Sequence, residues 1–264
     1  MGTWLGLIIG NSRLHWAWFG GDQLRRTWNT VHFSEDAIAT SLTLPHPPLP
    51  LPPDLDDHAL RSVPLMVASV VPAQTQLWLN YPNVVELTLE QLELANLYPT
   101  LGIDRALAAL GAFHHWDSSV LVIDGGTALT FTGVNEQGAL VGGAIAPGLR
   151  LQIQTLHHHT AALPDVEMAT LQAIEWWATN TPDAILSGVW HLVLAGVRDF
   201  IWNWQQNYPL SHIVLTGGDG ELLYQALCGQ WQPWHKRSLH LDPHIGLRGM
   251  AIASAQLLNS EKPG

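Results

Sequence analysis

Two glycine-rich turns in the second half of the chain combine residue types that bind phosphate groups. One runs from Asp124 to Thr127 and the other from Thr216 to Asp219, each with two central glycines and each after an apolar run. Glycines let backbone amides approach a phosphate, a threonine hydroxyl can donate to it, and an aspartate can hold a cation. An ordinary hairpin turn would explain either motif alone. Two in one chain favour a nucleotide site, which cannot be a Walker loop because that motif is absent.

An adjacent carboxylate and guanidinium, Asp104 and Arg105, form a second candidate site at the predicted start of a helix. A carboxylate there could accept the proton of a substrate hydroxyl, while the guanidinium holds a carboxylate or phosphate through two hydrogen bonds. The alternative is a first-turn acid favoured by the helix dipole beside a solvated arginine. Because only 12% of the chain is charged, the pair is a candidate for acid–base chemistry.

Other reactive side chains are predicted to have structural roles. His157, His158 and His159 are consecutive, and consecutive helical residues point about 100° apart, so they cannot chelate one ion together. His15 alternates with Trp16 in an apolar run, which is typical of a packed strand residue. The single cysteine, Cys228, is predicted to be a buried core residue.

The composition predicts a globular cytoplasmic protein. The chain has 264 residues, 47% of them hydrophobic, which is enough for one large domain or two modest ones. Its formal charge of −11 disfavours binding to nucleic acid or anionic lipid. One cysteine fits a reducing compartment, and we expect neither a signal peptide nor a membrane span. Most of the 13 tryptophans, among them Trp176, Trp177, Trp190, Trp202 and Trp204, lie in apolar-periodic stretches and are predicted to pack in the core or in an interface.

The order of the predicted elements suggests a duplicated α/β fold. Residues 3–9 and 14–19 are predicted as strands around a glycine turn, with a second hairpin turn after them. In the second half, strands at 120–124, 128–134 and 139–145 again surround a glycine turn and a hairpin. Similar halves of this kind bind nucleotides in the cleft between them, so we assign residues 1–115 to the first half and 116–264 to the second.

The remaining segments are predicted to complete the two halves. Strands are expected at 64–71, 84–89, 213–215 and 239–241. Helices are expected after Ser34 and over about 101–113, 148–156, 183–206 and 246–258, with Pro182 in the first turn of the long one. The proline-rich residues 45–53 are predicted to be an extended connector.

Taken together, these motifs resemble the type III pantothenate kinases in order and spacing. The resemblance covers about residues 5 to 255, and residues 121–151 contribute most to it. The matching motifs are GNS at 10–12, GIDR at 102–105, DGGTA at 124–128, GGAIAPG at 142–148, TAALP at 160–164, NT at 180–181 and TGG at 216–218.

The resemblance implies a fold and an activity. The family belongs to the actin-like group of acetate and sugar kinases, with two ribonuclease-H-like α/β halves around a nucleotide cleft. It transfers the γ-phosphoryl group of ATP to the hydroxyl of pantothenate, giving 4'-phosphopantothenate in the first step toward coenzyme A. It uses ATP with Mg²⁺ and a monovalent cation, K⁺ or NH₄⁺, and it works as a homodimer.

The resemblance also assigns roles to individual residues. Asp104 would be the general base, Asp124 would bind the monovalent cation, and Thr127 would bind the ATP phosphates. Thr181 would contact the pantothenate of the neighbouring subunit. The other substrate-binding residues would be Tyr98, Gly102, Ile103 and Arg105. The first ATP-binding segment would consist of Ile8, Ile9, Gly10, Asn11, Ser12, Arg13, Leu14 and His15.

One position departs from the family pattern. The first family motif is Asp-x-Gly-Asn-Thr, and here Ile8 stands in place of its aspartate while Ser12 keeps the hydroxyl. Ile8 removes a carboxylate expected to organise Mg²⁺ and the ATP phosphates. Two alternatives therefore stand beside the kinase: a kinase for another small hydroxylated acid, and a catalytically silent relative that binds or regulates.

Overall fold

The computed structural model describes residues 2–38, 63–168, 174–230 and 238–260. The predicted connector at 45–53 lies outside the described residues. Of the helix predicted after Ser34, residues 35–38 are described as helical, and the Ser34 hydroxyl accepts a hydrogen bond from the amide of Ala37 at 3.3 Å.

The described residues contain ten strands and six helices of seven or more residues. The strands are β1 (Thr3–Ile9), β2 (Leu14–Gly20), β3 (Gln23–Thr30), β4 (Leu65–Ser69), β5 (Val84–Glu86), β6 (Val120–Gly125), β7 (Ala128–Val134), β8 (Leu140–Pro147), β9 (His212–Thr216) and β10 (Leu239–Leu241). The helices are α1 (Pro72–Trp78), α2 (Ile103–Trp116), α3 (Leu149–His158), α4 (Thr181–Asn207), α5 (Gly220–Gln230) and α6 (Ile245–Ser260). A 3₁₀ turn spans Leu89–Gln91.

Two five-stranded sheets have the same topology. The first sheet has the order β3-β2-β1-β4-β5 and the second, read from its other edge, β8-β7-β6-β9-β10. In the first sheet, β1, β2 and β3 form an antiparallel meander, and β4 and β5 run parallel to β1. In the second sheet, β6, β7 and β8 form the same meander, and β9 and β10 run parallel to β6. The prediction of a duplicated α/β fold is confirmed by this repeated strand order.

The central strands are buried because helices cover them. Six of the seven residues of β1 are buried, which is typical of a strand covered on both faces. In the second sheet, the apolar side chains of β6 and β9 pack with one face of α4 in a single cluster that includes Val193, Val197 and Ile201. Helix α4 also has the length and hydropathy of a membrane span, with 44% of the relevant window buried. Its buried face is part of this core.

The chain divides into two compact units that differ from the predicted halves at the C-terminus. Unit 1 comprises Met1–Gly111 with Ile245–Gly264, and unit 2 comprises Ala112–His244. Helix α6 therefore groups with the first sheet, whereas residues 116–264 were assigned to one half from chain order. The reason is close packing within unit 1, where Gly249 of α6 lies against the backbone of Leu107 and Gly111 in α2.

Three features differ from their sequence predictions. The strand expected at 84–89 ends at Glu86, because a 3₁₀ turn with a capping box at Thr88 follows it. Trp176, Trp177 and Trp202 are 63%, 88% and 61% exposed, so they are not core residues, and interface packing stays a prediction for them. Cys228 is half-buried rather than buried.

Candidate active site

The first candidate segment is the tight turn between β1 and β2. The amide of Gly10 donates to the carbonyl of Arg13 at 3.0 Å, and the carbonyl of Gly10 bonds to Nε2 of His32 at 2.8 Å. Asn11, Ser12 and Arg13 of this turn are exposed. The flanking residues Ile8, Ile9 and Leu14 of the predicted ATP segment have buried side chains.

Four residues form a row across the first sheet beside this turn. Register places Asn29 opposite His15, His15 opposite Ile8, and Ile8 opposite Ala68. Directly opposed residues project from the same face of a sheet. Nδ1 of His15 bonds to Oδ1 of Asn29 at 2.9 Å, and this carbonyl oxygen can only accept, so Nδ1 carries the hydrogen.

Ile8 occupies an apolar position. It is 7% exposed, and its Cδ1 lies 3.4 Å from where a Cβ on Gly246, in the first turn of α6, would be. The polar groups of the row are therefore His15 and Asn29. Asn29 and His32 were missed by the sequence analysis, because β3 and the residues after it have no apolar alternation. The hairpin turn at 20–22 was the available signal, since it requires a partner strand.

Asp104 lies in the first turn of α2 with its carboxylate turned back toward the N-terminus of the helix. Oδ1 accepts a hydrogen bond from the amide of Arg105 at 2.8 Å. A Cβ on Gly102 would lie 2.5 Å from this oxygen, so glycine at 102 gives the carboxylate its room. Burial raises the pKa of Asp104 above its usual value, opposed by the Arg105 amide and charge and, more weakly, by His15. Burial of this kind makes a carboxylate a stronger proton acceptor than one in water.

Two predicted substrate-binding residues lie beside Asp104. Arg105 is buried, and its Nη1 donates to the hydroxyl of Tyr98 at 3.3 Å. Tyr98, in the loop before α2, is 39% exposed, so this pair joins a buried charge to an accessible hydroxyl. The side chain of Ile103 is 6% exposed and belongs to the core of unit 1.

In unit 2 the two glycine-rich turns come together at the ends of β6 and β9. These strands are parallel neighbours, and Asp124 is opposite Thr216. Gly217 has a φ of +83°, and a Cβ there would collide with Oδ1 of Asp124. The glycine therefore lets the backbone of the second turn approach the carboxylate closely, with the carbonyl of Gly125 beside it. Carboxylate and carbonyl oxygens are the ligands that hard cations prefer, so the donor set fits such an ion.

Asp219 is a further acidic residue at this edge that was not among the predicted site residues. Its amide donates to the carbonyl of Gly125 at 2.7 Å. Burial raises the pKa of Asp219, while the charge of Arg150 opposes the shift. The second glycine-rich turn was the signal for this residue, since Asp219 ends that motif. Thr127 is exposed beside the same turn, and the amide of Gly148 donates to its carbonyl at 2.9 Å.

A cavity of about 790 Å³ lies between α3 and the start of α4 in unit 2. Thr181, the first residue of α4, is among its lining residues. The side chain of Asn180 caps the helix by accepting a hydrogen bond from the amide of Asp183 at 3.0 Å, which holds Thr181 at the cavity. The rest of the lining is mainly apolar and includes Leu156, Leu163 and Val189.

The histidine run ends α3. Nδ1 of His157 donates to the carbonyl of Leu163 at 2.9 Å, so this imidazole holds the following loop. Within the described ranges, no group of three or more His, Cys, Asp or Glu side chains is arranged to hold a metal ion.

The relatives of the chain decide its family. Residues 4–203 match the family model of the type III pantothenate kinase. A type III pantothenate kinase of Nostoc sp. is 44% identical over 266 residues, covering 94% of this chain and 92% of the relative. That of Synechocystis sp. is 47% identical over 225 residues, covering 85% and 80%. The chain belongs to the type III pantothenate kinase family.

A solved structure shares the fold of this chain. A protein of Campylobacter jejuni described as a Baf family transcriptional activator aligns with a TM-score of 0.60, covering 97% of this chain and 99% of its own. At 20% identity the likeness shows the fold alone. The sequence resemblance to type III pantothenate kinases is thus confirmed, and none of the relatives named above supports a catalytically silent protein.

Proposed function

We propose that this member of the family transfers the γ-phosphoryl group of ATP to the hydroxyl of pantothenate, giving 4'-phosphopantothenate and ADP. The observation that carries the proposal is Asp104, a carboxylate with a raised pKa at the start of α2, beside the buried Arg105. Such a carboxylate can serve as the base that the transfer needs, and the relatives of this chain are named type III pantothenate kinases. The product is the first intermediate toward coenzyme A.

The transfer requires one proton acceptor. Asp104 accepts the proton of the pantothenate hydroxyl as the hydroxyl oxygen bonds to the γ-phosphorus, and the bond from that phosphorus to the oxygen of ADP breaks. Asp104 must be ionised to act, and the amide and charge of Arg105 favour the ionised form. Positioning and charge neutralisation supply most of the rate enhancement in such a reaction.

Pantothenate would be held around the start of α2. Arg105 has the fork of donors that binds a carboxylate, and the hydroxyl of Tyr98 lies 3.3 Å from it. The backbone of Gly102 and Ile103 completes this site. In a homodimer, Thr181 would contact the pantothenate of the neighbouring subunit. Its place on the wall of the cavity in unit 2 supports this proposal, because a ligand could reach the side chain there.

ATP would be bound by the segment from Ile8 to His15 and by Thr127, an exposed residue. Magnesium bound with ATP supplies neutralisation of the phosphate charge. Oxygen donors suited to a cation are present in unit 2 at Asp124 and Asp219, whereas Ile8 contributes none. The net charge of −11 disfavours binding to nucleic acid or anionic membranes, and the single cysteine supports a cytoplasmic enzyme.

The activity is expected to depend on potassium or ammonium. Asp124, whose carboxylate lies against Gly217 and near the carbonyl of Gly125, would bind a monovalent cation. We expect purified protein to phosphorylate pantothenate in potassium and about tenfold more slowly in sodium, because ion size and ligand number decide which cation an oxygen site selects. The measurement is ADP release with and without pantothenate. Equal rates in both salts would remove the cation site, and no pantothenate-dependent ADP in either salt would refute the proposed function.

The substitution Ile8→Asp is expected to lower the KM for ATP. It would place a carboxylate in the row beside His15, where a cation bound with ATP could use it. The change also buries a charge at a position that is 7% exposed, so Ile8→Asn, without the charge, is the matched control. An unchanged ATP dependence in both variants would mean that another group already performs this role.

A further inference from the structure

We propose that His32 is a positioning residue for the nucleotide: its hydrogen bond to the carbonyl of Gly10 orients the turn between β1 and β2 so that the amide of Asn11 faces an ATP phosphate. The inference rests on the proposed function, because it takes this turn as part of the ATP site. The orientation of the turn and the binding of ATP can both be measured without turnover.

His32 holds the carbonyl of Gly10 from outside the hairpin. Its Nε2 lies 2.8 Å from the carbonyl oxygen. This oxygen can only accept, so Nε2 carries the hydrogen, and the bond forms with a neutral or a charged imidazole alike. His32 is half-buried and lies two residues after the end of β3, so it belongs to neither strand that the turn connects.

The bond from His32 replaces one that a tight turn normally makes for itself. In a two-residue hairpin turn, the carbonyl of the first residue accepts a hydrogen bond from the amide of the fourth. Among the backbone bonds of the described residues, this bond from Arg13 to Gly10 is missing. The amide of Gly10 donates to the carbonyl of Arg13 at 3.0 Å, which is the opposite direction. His32 is therefore the group that fixes the carbonyl of Gly10.

A fixed carbonyl at Gly10 also fixes the direction of the next amide. The described residues contain no cis peptide bond, and in a trans peptide unit the C=O and the following N–H point in opposite directions. Because the carbonyl of Gly10 points to His32, the amide of Asn11 points to the opposite side. Asn11 is exposed, and its amide has no hydrogen-bond partner among the described residues.

An exposed amide held in one direction suits a phosphate. Backbone N–H groups of turns bind phosphate oxygens, and a donor that is already oriented loses less entropy on binding than one that must be ordered. Ile8 brings no carboxylate to this turn, so hydrogen-bond donors are the main groups that the turn offers to ATP. Arg13, exposed in the same turn, adds a positive charge.

The kinetic test compares His32→Leu with His32→Gln. Leucine has no donor, so the carbonyl of Gly10 loses its partner, and we expect the KM for ATP to rise about fivefold, the scale of one lost hydrogen bond. The change in kcat should stay under about twofold, because the bound nucleotide and the transition state use the amide of Asn11 equally. Glutamine can donate from a position close to that of Nε2, so His32→Gln should keep the KM for ATP within about twofold of the wild type.

His159→Leu is the matched control for the loss of a histidine. His159 is exposed and follows the last residue of α3, in unit 2. It should leave kcat and the KM for ATP within about twofold of the wild type, as expected for a surface substitution. A KM for ATP that rises equally in His32→Leu and His159→Leu overturns the inference.

A binding measurement separates the inference from the proposed function. The affinity for MgATP is measured by calorimetry without pantothenate in the wild type and the three variants, with the urea midpoint as a check on folding. Equal affinities in the wild type and His32→Leu overturn the inference even where pantothenate is phosphorylated, and so does a failure of His32→Gln to restore the affinity. Weaker binding confined to His32→Leu supports the inference even where pantothenate is not the acceptor, a result that would refute the proposed function alone.

A third measurement needs no variant. The amide proton of Asn11, assigned in NMR spectra of the wild type, is followed as MgATP is added. A hydrogen bond to a phosphate oxygen moves an amide proton downfield, so we expect a downfield shift for Asn11 that saturates as the nucleotide binds. A resonance that stays in place while ATP binds overturns the inference.

Discussion

Asp104→Asn is expected to reduce kcat for pantothenate phosphorylation on the order of a thousandfold while leaving the fold intact. The amide cannot accept the hydroxyl proton. Its Oδ1 can still accept the hydrogen bond from the amide of Arg105, so the first turn of α2 keeps its cap. The measurement is kcat in potassium, with circular dichroism and the urea midpoint as checks on folding.

Asp117→Asn is the matched control for this change. Asp117 follows the same helix at its other end, is exposed, and has a φ of 46°, a conformation that asparagine tolerates well. It should retain activity within about twofold, as expected for a surface substitution. Near-normal turnover in Asp104→Asn would show that Asp104 is not the base. Asp104 would then be at most a substrate-binding residue.

The parts of the fold that could be predicted are those with a strong local pattern. β1 and β6 are continuous apolar runs that end at glycines, and α4 begins with Asn180 as a cap and Pro182 in its first turn, so their bounds lay within a few residues of the prediction. The duplication followed from the two hairpin openings, and the common strand order of the sheets confirms it.

The edge strand β3 could not be predicted because it lacks a buried apolar face. Its burial alternates only between exposed and half-buried, and its sequence is largely polar. Asn29 was missed with it, and so was the anchor of His15. The bond between these side chains joins residues 14 apart in sequence through strand pairing, which no local pattern records.

The residues of the candidate site could be predicted where they belong to short sequence motifs. They could not be predicted where tertiary packing brings them together. Asp104, Arg105 and Asp124 followed from short motifs. The role of Tyr98 is implied by the family resemblance and stays a prediction, and the bond from Arg105 to its hydroxyl shows that these two predicted residues are neighbours. The fit of Asp124 with Gly217 depends on two turns about 90 residues apart, which meet only because β6 and β9 are parallel neighbours.

Gly249→Ala is expected to reduce the stability of the protein strongly, because Gly249 lies where α6 packs on α2. A Cβ at this position would overlap the carbonyl oxygen of Leu107 in α2, and Gly111 lies beside it with a nitrogen 3.1 Å away. Helix propensity alone predicts that alanine stabilises a helix by about 0.5–1 kcal/mol relative to glycine. Both obstructing atoms are backbone, which cannot rotate away, so we expect a net loss of about 3 kcal/mol in the free energy of unfolding.

Two glycines give matched controls for the urea denaturation that measures this loss. A Cβ on Gly246, in the same helix, would meet only the flexible end of Ile8 at 3.4 Å, and one on Gly196 in α4 would meet nothing within 4 Å. Gly246→Ala should change stability by less than about 1 kcal/mol, and Gly196→Ala should raise it by about 0.5–1 kcal/mol. If Gly249→Ala were as stable as these two, α6 could not pack on α2 through Gly249 and Gly111, and the boundary of unit 1 would have to be drawn without it.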